Sequence, residues 1–156
     1  MLELAPVRPD DFEALAALRI EAMRESLERI GRFDPTRATE RLRSGFSAEH
    51  TRHIVAGGER VGFVVVKPIE GGLLLDHLYI RPQAQSRGIG AAVLERVFAE
   101  ADALGLMLRV GALRESDSNR FYVRHGFVLV EETELDFYYV RSPRSQRARN
   151  SRTRAS

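Results

Sequence analysis

Residues 73–94 read LLLDHLYIRPQAQSRGIGAAVL, and this stretch decides the fold. Leu73 to Ile80 is an apolar run of strand length, and Pro82 cannot continue it as a ladder donor. Gln85-Ser86-Arg87-Gly88-Ile89-Gly90 then opens a segment in which Ile89, Val93, Val97, Ala101 and Leu104 step at helical spacing, with Gly105 to stop it. Two glycines at a helix start let backbone N–H groups approach a ligand with no Cβ in the way. Those groups lack intrahelical partners and sit at the positive end of the helix dipole. A strand, a glycine loop and a helix in this order make a phosphate cradle, with Arg87 adding charge. The same letters also fit a tight turn that needs glycine for geometry alone.

Outward from that segment, the period alternates between strand and helix. Leu2 to Val7 reads as a strand. Asp10 and Asp11 open a helix whose apolar stripe is Phe12, Ala16, Ile20, Met23, Leu27 and Ile30, closed by Gly31. A second short helix fits Thr39 to Phe46. Gly57-Gly58 and Gly71-Gly72 divide residues 51–80 into three strands of a meander. MLRVGAL, from Met107, is a strand, Ser118 to His125 a short helix, and FVLVEET and LDFYYVR the final strands. The expected fold is α/β (α+β): one domain over residues 1–141, in the order β-α-α-β-β-β-α-β-α-β-β. Its central sheet has about seven strands and is mixed, because antiparallel strands precede a strand–helix–strand crossover.

Composition bounds the function. The chain has 156 residues, 44% hydrophobic and 29% charged, enough to bury a core. No apolar run reaches the roughly 18 residues of a membrane helix, and the acidic N-terminus does not read as a signal peptide. A cytoplasmic location is the expectation. The absence of cysteine removes thiolate catalysis and Cys-ligated metal, and His50, His53, His77 and His125 show no metal-ligand spacing, so no metal is expected. The formal charge of +2 conceals an asymmetry. Residues 142–156 hold five arginines and no acid, which leaves residues 1–141 at −3. That tail reads as disordered, and an acidic body argues against nucleic acid as a partner.

Competing phosphate loops fail on the letters. A Walker loop needs Lys and Ser or Thr after its last glycine, where Ala91 and Ala92 stand. A dinucleotide fingerprint needs a small residue where Val93 stands, and the kinase HRD and DFG motifs are missing. What remains is Q-x-x-G-x-G in LYIRPQAQSRGIGAAVL, followed about 30 residues later by SNRFYVRHGF. In this pairing and in element order the chain resembles the GNAT superfamily of acetyl-CoA-dependent N-acetyltransferases.

The resemblance implies a role for each matching position. Gln85, Ser86, Arg87, Gly88, Ile89 and Gly90 would offer N–H groups to the pyrophosphate of acetyl-CoA, the co-substrate. Leu78, Tyr79 and Ile80 would bond the pantetheine through their backbone as an added strand. The strand ending at Ile80 and the strand near Val110 would splay apart to admit the acetyl end, with Asn119 and Tyr122 beside the sulfur. Tyr122 would be the proton donor to the departing thiolate, unless it only packs. For the base, Asp76 shares a strand face with Leu78 and Ile80, or it ties down a loop or an arginine; His77, of opposite parity, and a water are the alternatives. One position departs from the family: Glu115 stands where many members carry a cofactor-contacting Asn, and a carboxylate cannot donate as an amide does.

The acceptor pocket is expected from the first two helices and the last hairpin. IGRFDPTRATERLRSGF carries Arg32, Arg37, Arg41 and Arg43, which read as a solvated face or as anion ligands. The implied activity moves acetyl to a primary amine of a small molecule or peptide by direct attack in a ternary complex, in a monomer or homodimer. The alternative is a non-catalytic acyl-CoA-binding or regulatory module on the same fold.

Overall fold

In the computed structural model, residues 1–144 other than Ile30 are described; the rest of the arginine-rich tail and the Ile30 end of the apolar stripe lie outside the described residues. The elements are β1 (Leu2–Pro6), α1 (Phe12–Arg29), α2 (Pro35–Ser44), β2 (Thr51–Ala56), β3 (Glu59–Ile69), β4 (Gly72–Ile80), α3 (Ile89–Leu104), β5 (Met107–Leu113), α4 (Ser118–Arg124), β6 (Val128–Glu132) and β7 (Asp136–Arg141). This is the expected order. The seven strands form one mixed sheet, β1-β2-β3-β4-β5-β7-β6, in which β4 and β5 pair in parallel. The placement of β7 between β5 and β6 follows from the chain's return through the last hairpin.

Helix α2 begins four residues before the sequence expectation. Asp34 caps it, its carboxylate accepting from the Arg37 N–H at 3.1 Å, and Pro35 occupies the first turn. An Asp-Pro pair is a helix-start signal, and it outweighs the weaker apolar pattern that suggested a later start.

The chain divides into two compact units. One comprises Met1–Val66 with His77–Ala92; the other comprises Lys67–Asp76 with the residues from Val93 onward. In the first, α1 and α2 bury Phe12, Leu15, Ala16, Leu18 and Leu42 in one cluster with Phe63 and Val65 of β3, and Tyr79 of β4 packs against it. The Phe12 and Phe46 rings meet edge to face at 5.2 Å. In this unit β4 lies so close to β3 that a Cβ on Gly62 would stand 2.1 Å from the Tyr79 carbonyl oxygen. Glycine is needed at position 62 for that approach.

In the second unit, α3 buries Val93, Leu94, Val97 and Ala101, and β5 buries Leu108 and Val110. Here the end of β7 is clamped. Arg141 donates from both terminal nitrogens to Asp102, at 2.9 and 3.2 Å, and its guanidinium lies 4.0 Å from the centre of the Phe98 ring. The Arg144 N–H also donates to Asp102 at 2.8 Å, and Pro143 is buried. Hydrogen bonding from Arg141 leads the causes that hold the Asp102 carboxyl below its ordinary value, with the Arg144 N–H adding and burial opposing.

Two expected outcomes follow from these contacts. Gly62→Ala forces β3 and β4 apart and costs about 2–3 kcal/mol, read as a lower urea midpoint. Because the folded state depresses the Asp102 pKa, its contribution is complete above the ordinary carboxylate range and fades as pH falls through it. Asp102→Asn therefore loses about 2 kcal/mol at neutral pH, and the gap to the wild-type protein narrows as unfolding is followed down to the acid side of that range.

Candidate active site

The expected cradle is built by three local devices. After β4, Pro82–Ala84 forms a short 3-10 turn, and Ala84 is buried as its anchor. Gln85 then reaches back, its side-chain amide donating to the Ile80 carbonyl at 2.8 Å. Its own N–H is spent on Pro82 at 3.2 Å, so Gln85 sets the shape of the loop rather than adding an N–H to it. Beyond it, Ser86 stands at φ 65° and Gly88 at φ 76°; Ser86 is the one non-glycine with positive φ among the described residues. Positive φ at Ser86 and Gly88, on either side of Arg87, bends the chain sharply, as in the loops that turn N–H groups toward an anion. The first intrahelical bond of α3 runs from the Ala92 N–H to the Gly88 carbonyl at 3.1 Å. The N–H groups of Ile89, Gly90 and Ala91 therefore have no partner within the helix. Residues 85–88 are exposed, so an anion can reach them.

The strand leading into the loop has a determined orientation. The Tyr79 carbonyl faces Gly62 of β3, and the Arg81 N–H donates to Val61 on that side at 2.7 Å. Backbone groups alternate along a strand, so those of Leu78 and Ile80 face away from β3. The parallel ladder of β4 with β5 runs over Gly72–Leu75 against Met107–Val110, whereas β4 continues to Ile80. Leu78 thus presents its N–H and carbonyl at the part of β4 beyond that ladder.

His77 and Tyr79 turn their side chains to the opposite face. The Tyr79 hydroxyl lies 3.3 Å from His77 Nδ1 and accepts from Arg19 Nε at 3.1 Å. His77 is buried, with its ring 6.5 Å from that of Phe63. Arg19, 5% exposed, belongs to none of the sequence-derived candidates. The arginines that did draw attention, Arg32, Arg37, Arg41 and Arg43, are all exposed, and Arg43 pairs with Glu13 at 3.2 Å.

In the second unit, Asp76 is ion-paired with Lys67, the chain's single lysine, at 3.1 Å, and each side chain is about a quarter exposed. Tyr122 of α4 is buried, its ring centre 5.4 Å from Phe127 and 6.3 Å from Tyr139. Asn119 is heavily engaged. Its amide donates to the carbonyls of Leu113 at 2.7 Å, Ser116 at 2.9 Å and Arg114 at 3.2 Å, and its oxygen accepts from the Tyr139 hydroxyl at 2.8 Å. It ties the β5–α4 loop, which carries the exposed Glu115, to α4 and β7. Burial, with the Glu132 charge adding to it, raises the Tyr139 phenol above its ordinary value, so it remains a donor to Asn119. Among the described residues no helix is long and apolar enough to cross a membrane, and no three acidic, His or Cys side chains are grouped to hold a metal ion.

Comparison with known proteins agrees with this geometry. The acetyltransferase (GNAT) domain matches residues 49–129, just over half of the chain. Among solved structures, the chain is similar to an acetyltransferase from Thermus thermophilus, with 26% identity, 91% of this chain and 97% of that one covered, and a TM-score of 0.73. It shares its fold with the PaiA N-acetyltransferase from Thermoplasma acidophilum in complex with coenzyme A, at 19% identity, 91% and 99% coverage and a TM-score of 0.75. The same holds for the ribosomal-protein-S18-alanine N-acetyltransferase from Escherichia coli, at 15% identity, 91% and 94% coverage and a TM-score of 0.69. No curated protein matches the chain by sequence. With the domain match spanning the strand, the glycine loop and the helix that build the cradle, the chain belongs to the GNAT family of acetyltransferases.

Proposed function

We propose that the protein transfers acetyl from acetyl-CoA to a primary amine by direct attack in a ternary complex. The observation that carries this reading is the loop from Gln85 to Gly90, preset at Ser86 and Gly88 and opening α3. Arg87, Gly88, Ile89 and Gly90 would hold the pyrophosphate, with Ser86 and Gln85 fixing the turn. Leu78 and Ile80 would take the pantetheine through backbone groups that face away from β3, and Tyr79 supports that strand from the other face. Acetyl-CoA supplies the activated acyl group as a thioester.

The remaining chemistry falls to the chain. The amine must lose a proton, negative charge gathers on the thioester oxygen, and the departing thiolate must gain a proton. The Leu78 N–H is the proposed donor to that oxygen, since the Tyr79 backbone is turned to β3. Tyr122 is the proposed acid, because a phenol suits the return of a proton to a thiolate. Asn119 fixes the loop entering α4 and so the position of Tyr122. Asp76 is the proposed base: its ion pair with Lys67 orients the side chain, and alternation along β4 puts it on the strand face shared with Leu78. His77 is occupied with Tyr79 on the opposite face, which favours Asp76 over it.

Two measurements test this reading. Gly88→Asp adds a negative side chain to the cradle, and no heavy atom lies within 4 Å of the added Cβ. Asp also tolerates positive φ better than most residues. Affinity for coenzyme A should fall roughly 100-fold or more with the melting temperature little changed; undiminished affinity removes the cradle assignment. Tyr122→Phe should lower turnover roughly 100-fold at unchanged coenzyme A affinity. Asp76→Asn should be most deficient at low pH, where the amine is charged, and recover as pH rises. A pH-independent deficit would make Asp76 structural.

A further inference from the structure

Strand β6 ends the sheet at one edge, and all of its residues are exposed. It opens with three consecutive apolar residues, Val128, Leu129 and Val130. Seven large apolar side chains are exposed among the described residues; these are three of them, Val123 of α4 is a fourth, and Leu135 in the turn after β6 is a fifth. Single, scattered apolar residues on a surface need no explanation, but a concentration of this kind marks a contact that the chain does not make with itself. Cross-strand pairing sets where each residue points. Leu129 is opposite Tyr139, whose ring meets Tyr122 of α4, so Leu129 lies on the side of the sheet that α4 covers. Val128 lies on the other side, opposite Val140. On the α4 side, Asn119, Arg120, Val123, Arg124 and Tyr139 line a cleft of about 410 Å³. The apolar surface therefore wraps around the edge. At the opposite edge of the sheet, β1 carries Glu3 and Pro6, a charge and a missing donor that guard an open strand. The apolar half of β6 carries neither.

An occupant has to meet both faces of this strand at once. A strand laid alongside does so, because its side chains alternate above and below; a helix resting on one face does not. Charge selects which strand. Glu131 and Glu132 close β6, paired within the chain to Arg109 at 3.1 Å and Arg114 at 3.8 Å, and Glu134 follows, exposed in the turn. Arg124 stands exposed at the end of α4, just before β6 begins. A strand with a base before one end and acids at the other is complementary to itself when turned end for end. With two copies antiparallel about Leu129, Leu129 meets Leu129, Val128 meets Val130 in both directions, and Glu134 comes to the position of Arg124. A parallel arrangement would set Glu131 and Glu132 against their own copies. The extra residue at Val130, where β6 slips against β7, shortens the ladder that a second strand can form, so apolar contact carries most of the association.

We propose that β6 and the neighbouring face of α4 form the interface of a homodimer, in which β6 lies antiparallel to its copy about Leu129. The occupant of the edge is a second copy of this chain. None of Val123, Arg124, Val128, Leu129, Val130 and Glu134 takes part in the proposed acetyl transfer, so the two readings stand or fall separately.

The test is sedimentation equilibrium of the full chain across a range of concentrations. The wild-type protein should approach twice the 17.6 kDa of one chain. Leu129→Glu sets two carboxylates against each other at the two-fold axis and should raise the dissociation constant at least about 100-fold, with far-ultraviolet circular dichroism unchanged. A charge swap away from the apolar residues supplies a second reading that a folding defect does not mimic. Arg124→Glu and Glu134→Arg should each weaken the dimer several-fold, and the double variant should recover the wild-type association. Hydrogen exchange locates the contact: the amides of residues 128–130 should gain protection as concentration rises. A wild-type monomer at every concentration, a dimer that persists in Leu129→Glu, or a double variant no tighter than its single variants overturns the proposal. So does protection of β6 in a monomer that is lost on removal of residues 145–156, which would assign the edge to the arginine tail.

Discussion

Strand β4 is bound unequally along its two edges, and the candidate site follows from that inequality. Towards β3 it is held to its end, with the Tyr79 carbonyl pressed against Gly62 and the Arg81 N–H on Val61. Towards β5 the ladder covers Gly72–Leu75. The last residues of β4 thus keep a strand's geometry while the backbone of Leu78 is turned away from β3. A strand fixed on one edge presents donors and acceptors at defined spacing, which a loop cannot do. The cradle continues the same arrangement, because Gln85 ties the loop to the carbonyl of Ile80.

Most of the architecture was legible in the sequence because it is written in short-range signals. Glycine pairs mark the hairpins, proline ends β4, and period-four apolar steps in α3 give a helix that buries Val93, Val97 and Ala101 as expected. The position of β7 inside the sheet was not legible, since strand order depends on long-range pairing that no local pattern encodes. The start of α2 was misread because its capping residues, Asp34 and Pro35, precede its apolar positions.

The glycine loop that opens α3 was legible in the sequence, whereas the partners of the candidate side chains were not. Glycine spacing marks a loop whatever surrounds it. The partners of polar side chains are set by tertiary contact, so nothing in the letters pairs Asp76 with Lys67 or spends the Asn119 amide on three carbonyls. Arg19 shows the same limit. In a chain with 23 arginines, composition gives no reason to single one out, and the conspicuous cluster from Arg32 to Arg43 is exposed. Only burial distinguishes Arg19, and burial is a property of the fold.

The left-handed conformation of Ser86 has a consequence for how a ligand is met. A serine held at φ 65° stores strain of about 1 kcal/mol or more, which the clamp from Gln85 and the buried Ala84 sustain. The entropy of organising the nest is thus spent during folding rather than at each encounter. An anion leaving such a nest would not have to wait for the loop to unwind.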